Sequence, residues 1–405
     1  MRMLIAAVAV ITAIVLVISA IAFYTPSSLP AASPINEEPS SPISNPIVSE
    51  PGEVQEPDDS PTGLERLISF LPILDDDDSD SLPECNKRLF TVTPVDLNEV
   101  YEISPLGNLG PPAHTLPTEH MYFHISAGGS STKRIPLRAP GDVFILEVIE
   151  DKSRGDFSIR FALCDEVYGY YNHVKGLSSD LRSVLEAVEC TVFTHSGGDS
   201  CSKSIFHKVD AGKVLGEVGD LQGNFDFGAF DFRTILDYAN PSRYGEVGQT
   251  RSLHIVCPIE LYDDETKRIL YDKVARSGGQ ECGVVMQDLP GTLQGNWFHG
   301  DVKSYTDWTL HLAFVHDNED PSKSVISIGG FFTNAGKWEF EAENSGLIDR
   351  EFSDVRSDGN IYCYDLGQSG RLLVLMTSDT ELRIESQSGI CSGSVSFDEP
   401  STYER

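Results

Sequence analysis

Basic residues are scarce in this 405-residue chain, which has 30 Lys and Arg against 62 Asp and Glu and a formal net charge of −32. Phosphate contacts need clustered cations, so this balance excludes a nucleic-acid binder that works through a general basic surface. The sequence also lacks a nucleophile elbow, a phosphate-binding loop, a dinucleotide fingerprint, a CxxC pair and a repeat of fixed period. What is present is 40% hydrophobic residues, enough for folded cores.

The longest apolar run is Met3–Phe23, which only Thr12 and Ser19 interrupt. As a helix this run would span roughly 30 Å, the thickness of a bilayer core. A cleavable signal peptide has an apolar run of about 7–15 residues, so we expect an uncleaved anchor over residues 1–24. A removed signal peptide and a buried core helix stay as alternatives. Arg2 precedes the run, so the positive-inside rule predicts a single-pass membrane protein whose bulk is extracytoplasmic.

Residues 25–84 are rich in Pro, Ser and acidic residues, and most of this segment shows no hydrophobic period. Such a composition cannot bury enough apolar area to order itself, so it predicts a disordered stalk. Within the stalk, Leu64–Leu74 has the apolar spacing of a short helix. The aspartate run Asp75–Asp80 lacks the glycine and the final Glu of a calcium-binding loop, which favours a solvated acidic linker.

All eight cysteines follow the apolar run, and an even count in an exported chain predicts disulfides. Two of them, Cys190 and Cys201, flank a Gly/Ser-rich loop. Chain order favours the pairs Cys190–Cys201, Cys257–Cys282, Cys363–Cys391 and Cys85–Cys164. The sequence by itself leaves this connectivity open.

The pattern after the stalk predicts a mainly β protein with two folded regions. Residues 85–240 show short β-like runs with one helix at Ser178–Val188, and a turn signal at Asn240 marks the boundary. Residues 245–405 begin with one helix, Thr266–Val274, and continue as alternating segments. Strands at intervals of about ten residues with turn residues between them predict an antiparallel barrel or sandwich.

Three histidines, His114, His120 and His124, fall within eleven residues. Neutral imidazole is the commonest ligand of metals such as zinc, so this cluster is a candidate site. Ordinary hydrogen-bonded or exposed histidines are the alternative interpretation.

Three segments near this cluster resemble lysostaphin-type murein endopeptidases. Ile135–Phe144 resembles a strand pair of a lipoyl-like barrel, Tyr170–Val174 resembles the family's "Y-x-H-L" segment, and Val209–Gly219 is similar to its "V-x-x-G-x-x-I-G-x-V-G" hairpin. The hairpin is the most specific segment because its glycines stand where tight turns need positive φ. The resemblance covers residues 106–233 and implies a duplicated-hybrid-motif β-barrel.

The resemblance also implies a zinc site with an early His, an Asp and one His of a late "H-x-H" motif. His173 matches the family's histidine that assists the water. His114 or His120 matches the first ligand, although the four-residue step from that His to Asp is absent and Glu119 is the nearest acid. Zinc would lower the pKa of a bound water towards neutrality, and an imidazole would shuttle the proton.

The late motif departs from the family, because Phe225 and Phe227 stand where the two histidines are expected. Phenylalanine has no lone pair for a metal. Asp226 and Asp231 are the candidate replacements, since catalytic zinc accepts mixed imidazole and carboxylate ligands. The predicted metal ligands are therefore His114, His120, Asp226 and Asp231 with His173 beside them, unless the two aspartates only cap turns.

The second region faintly resembles a lipocalin barrel at Gly295-x-Trp297. Four of its residues line a ligand cup in one interpretation and pack in a β core in the other. These residues are Asn296, Trp297, His299 and Trp308. His311 and His316 flank a strand-like run and are expected at a strand end.

Together these features predict a membrane-anchored extracytoplasmic protein that touches the lipid bilayer through residues 3–23. Its degenerate zinc-peptidase-like barrel would bind a cell-envelope glycan or peptide rather than cleave it, with or without zinc. The alternative is a zinc-dependent cell-wall or protein peptidase with an altered ligand set. A purely architectural module is a third interpretation.

Overall fold

The computed structural model describes residues 82–85, 89–127, 132–195 and 198–405, which belong to one compact unit, Ser60–Arg405. The predicted anchor (1–24) and nearly all of the predicted stalk (25–84) lie outside the described residues. In the part of the chain that is described, no helix is both long and apolar enough to cross a membrane.

Among the described residues, the first sheet contains eleven strands. Their bounds are β1 Glu102–Ser104, β2 His120–His124, β3 Ile135–Arg138, β4 Val143–Asp151, β5 Asp156–Ala162, β6 Val167–Lys175, β7 Thr191–His195, β8 Gly198–Val209, β9 Val214–Val218, β10 Asn224–Asp231 and β11 Ile255–Val256. The order along the sheet is β1-β2-β10-β6-β5-β4-β8-β7, with β9 joining β3 to β6 and β11 pairing with β10.

Eight described strands form the second sheet in the order β15-β14-β13-β12-β19-β18-β17-β16. Their bounds are β12 Gly295–His299, β13 His311–His316, β14 Ser324–Ile328, β15 Gly336–Phe340, β16 Tyr362–Asp365, β17 Arg371–Met376, β18 Glu381–Gln387 and β19 Ser401–Glu404. All neighbours in both sheets run antiparallel. The prediction of a mainly β protein is confirmed, with two antiparallel sheets, one of them a half-barrel.

Three short α-helices, α1 Ser179–Glu186, α2 Pro241–Glu246 and α3 Asp264–Tyr271, connect strands in the described residues. Helix α1 begins where the sequence predicts it, because the Ser178 hydroxyl accepts a hydrogen bond from the Leu181 amide as an N-cap. Short 3₁₀ turns cover Leu97–Glu99, Thr250–His254, Pro258–Leu261, Trp308–Leu310, Phe352–Asp354 and Gly367–Ser369.

Each sheet has its own apolar core. The first core includes alternate side chains of β2, β6 and β10 such as Phe123, Tyr171 and Phe227, and it also takes in apolar residues of 255–285. The second core surrounds Trp297. The domain boundary near residues 240–245 stays a prediction.

A third apolar cluster joins the two sheets. Tyr238, Tyr244 and Val247 lie between β10 and β11 of the first sheet and pack in one cluster with Phe298 and Val315 of the second sheet. Strand β13 is therefore covered on both faces, which explains why its first five residues are all buried. This cluster holds the loops of the first sheet beside the second sheet.

The disulfides follow the order that the sequence favours. They join Cys85–Cys164, Cys190–Cys201, Cys257–Cys282 and Cys363–Cys391. Four disulfides are consistent with an extracellular or secreted protein, because such bonds persist in oxidising compartments.

Candidate functional site

A polar network lies on the face of the first sheet that points away from its core. Asp226 on β10 lies opposite Tyr122 on β2 and Asn172 on β6. Opposed residues of neighbouring strands share a face of the sheet. Asp226 is only 3% exposed, so its carboxylate is nearly out of water.

Strand alternation corrects the expected role of the two phenylalanines. Phe225 and Phe227 are fully buried in the first core, where the Phe227 ring lies 4.9 Å from Tyr171 and the Phe225 ring 5.2 Å from Phe123. Successive strand residues point to opposite faces, so Asp226 points into the polar network. The phenylalanines are core residues and do not replace imidazoles at the site.

The backbone at His173 brings two consecutive side chains to the same carboxylate. His173 has φ +62°, and the pairing of β5 with β6 shifts register nearby, between Phe157 and Ile159. Asn172 Nδ2 donates to Asp226 Oδ2 at 3.1 Å, and His173 Nε2 lies 3.4 Å from the same oxygen. A non-glycine residue at positive φ is uncommon and is often found at functional sites.

His120 approaches Asp226 from β2, with its Nε2 at 3.4 Å from Oδ2. Its Nδ1 lies 3.0 Å from the Tyr170 hydroxyl on β6. Gly228 lies between His120 and Tyr170 in the strand register, and a Cβ there would collide with the Tyr170 ring. The glycine therefore lets the tyrosine reach across β10.

The Tyr170 hydroxyl is the hydrogen-bond partner of the His120 ring, at Nδ1. His120 Nε2 lies 3.4 Å from Asp226 Oδ2 and makes no hydrogen bond with any residue that the structure describes. Burial raises the pKa of Tyr170 well above its usual range, so the phenol stays protonated and can donate.

His173 is held at its other nitrogen, where Nδ1 lies 2.8 Å from Asp156 Oδ2. Burial alone would lower the pKa of His173. The hydrogen bond to Asp156 and the charges of Asp226 and Asp156 outweigh burial, and the net pKa is raised above 6.5. The polar network thus favours a charged imidazole at this position.

His114 lies next to the same network, with its ring centroid 5.7 Å from that of His120. Burial, followed by the proximity of His120, lowers the pKa of His114 from 6.5 to about 4. His114 is therefore a neutral imidazole near pH 7.

Asp231 is not brought to the histidines. It lies five residues beyond Asp226 on β10 and so points to the opposite face of the strand. Its carboxylate pairs with Arg233 at 2.7 and 2.8 Å and accepts the Arg233 amide at 3.0 Å. The turn-capping alternative describes Asp231, and its predicted role as a metal ligand does not fit this geometry.

A cavity of about 250 Å³ opens beside the network, between the first sheet and the segment that leads into β13. Its lining combines imidazoles, aromatic rings and guanidinium groups. These side chains are His114, His120, His311, Tyr170, Phe230, Tyr305, Trp308, Arg160 and Arg251. Both sheets therefore contribute to a single pocket.

The two arginines of the cavity each have an acidic partner. Arg160 Nη1 lies 2.6 Å from Glu147 Oε2, and Arg251 lies 3.3 Å from Glu119. The Arg251 guanidinium also lies over the Phe230 ring at 5.9 Å. Burial lowers the pKa of Arg160, and the charge of Arg251 opposes the effect of Glu147.

His311 belongs to the second sheet and is 2% exposed. Its Nε2 is buried and has no hydrogen-bond partner within the described ranges of the chain. Burial lowers the pKa of His311 from 6.5 to about 4, so the ring is neutral. The sequence places it at a strand end, where β13 indeed begins, but does not reveal that it faces a cavity.

The described side chains give no support for the predicted zinc site. Among the described residues, the one group of three candidate ligands whose atoms lie within 4.8 Å of one another is Cys85, Cys164 and Asp165. Cys85 and Cys164 form a disulfide and offer no thiolate. His120 and His173 approach the same carboxylate of Asp226, but the three do not converge on one point as tetrahedral zinc requires.

Of the predicted site residues, the structure gathers His114, His120, His173 and Asp226 and leaves Asp231 apart. In the second region, Trp308 lines the cavity, whereas Trp297 is fully buried in the second core. Asn296 donates to the Tyr244 hydroxyl at 2.9 Å, and His299 packs its ring 4.2 Å from Phe331.

Sequence reasoning missed Tyr170, Arg160 and Arg251 as site residues. Arg160 had a signal, because it alternates with Ile159 and Phe161 in β5 and so marks a polar face. Arg251 lies in a 3₁₀ turn, where no periodicity indicates direction.

No protein-family model matches the chain, and no curated protein matches it. Among solved structures, the chain is similar to the NMR solution structure of lysostaphin, with a TM-score of 0.20 and 10% identity over 73% of this chain and 84% of that chain. A TM-score of this size does not show a common fold, so membership of the lysostaphin-type family stays a prediction.

Proposed function

We propose that this chain is an extracytoplasmic binding protein whose pocket holds a glycan or peptide fragment of the cell envelope. The observation that carries the proposal is the cavity of about 250 Å³ that both sheets line. Binding sites are typically concave and apolar with a few convergent polar groups, and this cavity has that composition.

Binding is favoured over hydrolysis because the imidazoles of the described residues converge on a carboxylate and not on a shared metal position. Asp226 Oδ2 is approached by Asn172, His120 and His173 together. A catalytic zinc site needs three converging ligands and an open position for water. Here the two imidazoles meet at one carboxylate oxygen, and His120 and Asn172 form a polar wall of the pocket.

The remaining parts of the proposal come from the sequence. Residues 3–23 would anchor the chain in the lipid bilayer, and the Pro-rich segment after them would hold the folded unit away from the surface. The four disulfides suit that compartment. The strongly acidic composition argues against nucleic acid as a partner.

The test is an equilibrium titration of the full chain in mild detergent with soluble glycopeptide fragments of a bacterial cell wall. Trp308→Ala removes an aromatic wall of the cavity and is expected to weaken binding at least tenfold. Trp338→Ala is the matched control, because Trp338 is also partly buried but packs on the second core, away from the cavity lining.

Two results would overturn the proposal. Cleavage of the fragments that zinc supports and a chelator abolishes would favour the alternative, a zinc peptidase with an altered ligand set. Absence of binding to any fragment by the folded wild type would leave the architectural interpretation.

A further inference from the structure

Two guanidinium groups share the cavity of a strongly acidic protein. The charged lining residues are Arg160, Arg251 and Glu119, a formal charge of +2 − 1 = +1, in a chain whose formal net charge is −32. The side chains of Arg160 and Arg251 are 27% and 29% exposed, so both retain surface at the cavity.

Arg160 keeps unused N–H donors after it pairs with Glu147. A guanidinium has five N–H donors in a planar fork, and Arg160 gives Nη1 to Glu147. Glu147 is 4% exposed and also accepts the Ser202 hydroxyl, so it stands behind the cavity wall. The outer edge of the Arg160 fork is suited to a planar anion such as a carboxylate.

Another part of the lining offers neutral groups. Trp308 and Tyr305 present aromatic rings, and the buried His311 Nε2 has no partner among the residues that the structure describes. A neutral imidazole nitrogen can pair with a hydroxyl group, either as donor or as acceptor. A ring with several hydroxyls would satisfy this wall, whereas a second charge would not.

We propose that the preferred ligand is an acidic sugar, a pyranose whose carboxylate pairs with Arg160 while its ring packs on Trp308 and its hydroxyls reach His311. This inference rests on the proposed binding function and narrows it to one chemical class. The charged contact supplies selectivity, because a neutral sugar leaves the guanidinium edge without an anion.

The experiment compares two probes that differ only at one carbon, D-glucuronate with its carboxylate and D-glucose with its hydroxymethyl group. Each is titrated into the full chain in mild detergent and followed by tryptophan fluorescence. We expect glucuronate to bind at least tenfold more tightly than glucose.

The variants separate the charge from the fold. Arg160→Gln by itself strands the buried Glu147, so the test variant is the double change Arg160→Gln with Glu147→Gln, which removes both charges. It should abolish the tenfold preference for glucuronate over glucose. His311→Phe should weaken both sugars alike, because it removes a hydroxyl contact and no charge.

The outcomes distinguish the two proposals. Equal affinity for glucuronate and glucose would overturn the acidic-sugar inference and leave the binding function standing. Binding of a short peptide with a free C-terminal carboxylate but of neither sugar would overturn it as well, by assigning the anion to a peptide. Failure of sugars, peptides and cell-wall fragments alike would overturn the binding function itself.

Discussion

The two sheets bury different kinds of side chain. The first sheet buries ionisable side chains on its outer face, with His120, Glu147, Asp156 and Asp226 each less than 10% exposed. The second sheet surrounds Trp297 mostly with apolar and aromatic side chains, and among the described residues the one guanidinium over that ring is that of Arg405. Burying charge costs free energy even when the charges are paired, whereas burying aromatic area stabilises the fold. The difference indicates that the second core contributes more stability and that the first sheet holds the polar network, while both sheets line the cavity.

The largest effect should come from the core of the second sheet. Trp297→Ala removes a fully buried ring that donates to the Leu293 carbonyl at 2.9 Å and lies under the Arg405 guanidinium at 4.1 Å. We expect the free energy of unfolding to fall by about 3–5 kcal/mol, measured by urea denaturation. Phe331→Ala is the control, because that ring is 48% exposed and its loss should change stability by roughly 0.5 kcal/mol or less. Equal losses of unfolding free energy in Trp297→Ala and Phe331→Ala would contradict the stabilising role of the second core.

The next test asks which face of β10 belongs to the site. Phe227→His restores the imidazole that the peptidase motif expects, but the structure places it in the core. We expect a loss of stability on the order of 3 kcal/mol, from a buried polar ring without partners and from lost packing, and no gain in zinc affinity. Calorimetric zinc titration together with denaturation checks both parts. Tight zinc binding by this variant would show that Phe227 points into the polar network after all.

The register of β10 shows where sequence reasoning succeeds and where it stops. Residue types and chain order were enough to select His120, His173 and Asp226 and to favour all four disulfide pairs. The motif alignment put Phe225 and Phe227 at the site, and a shift of one residue in a strand exchanges its two faces. Only the pairing with β2 and β6 fixes which face Asp226 occupies.

The residues of the second region that line the cavity could not be predicted from the sequence, for a different reason. His311 and Trp308 reach the pocket because the third apolar cluster places the second sheet beside the loops of the first. Contacts between residues about 190 positions apart, such as the Thr115 hydroxyl with the Trp308 carbonyl at 3.4 Å, leave no periodic signal in the chain. Tertiary packing alone brings them together.

Removing the hydroxyl of a buried tyrosine should have a smaller effect on stability, and the effect should differ between the two sheets. Tyr170→Phe removes the partner of His120 Nδ1 and should cost about 1–2 kcal/mol of unfolding free energy, because a buried ring nitrogen is left unpaired. In the second sheet, the Tyr403 hydroxyl is buried and has no partner within the described part of the chain. Tyr403→Phe should therefore be neutral or stabilising in the same denaturation assay. A larger loss in Tyr403→Phe than in Tyr170→Phe would contradict the contrast between the faces.

The smallest effect expected is in the pH dependence of stability, and it concerns the charge on the first sheet's polar face. The folded-state pKa of His173 is raised above 6.5, where burial is outweighed by the Asp156 hydrogen bond and the charges of Asp226 and Asp156. Because the folded state binds this proton more tightly than the unfolded chain, the protonated imidazole stabilises the fold fully below pH 6.5. That contribution is lost as the pH rises through the folded pKa.

Asp156→Asn removes the strongest of the raising contacts, so the pKa of His173 should fall and the loss of stability should move to lower pH. NMR titration of the His173 ring, with unfolding measured in steps from pH 5 to 8, checks both. His311 is the internal control, because burial holds its pKa at about 4 and neither Asp156 nor His173 is among the groups that shift it. Should the pKa of His173 stay unchanged in the variant, the 2.8 Å contact with Asp156 carries no charge. The polar face would then consist of neutral, hydrogen-bonded side chains. Burying it would cost far less free energy than burying charged groups.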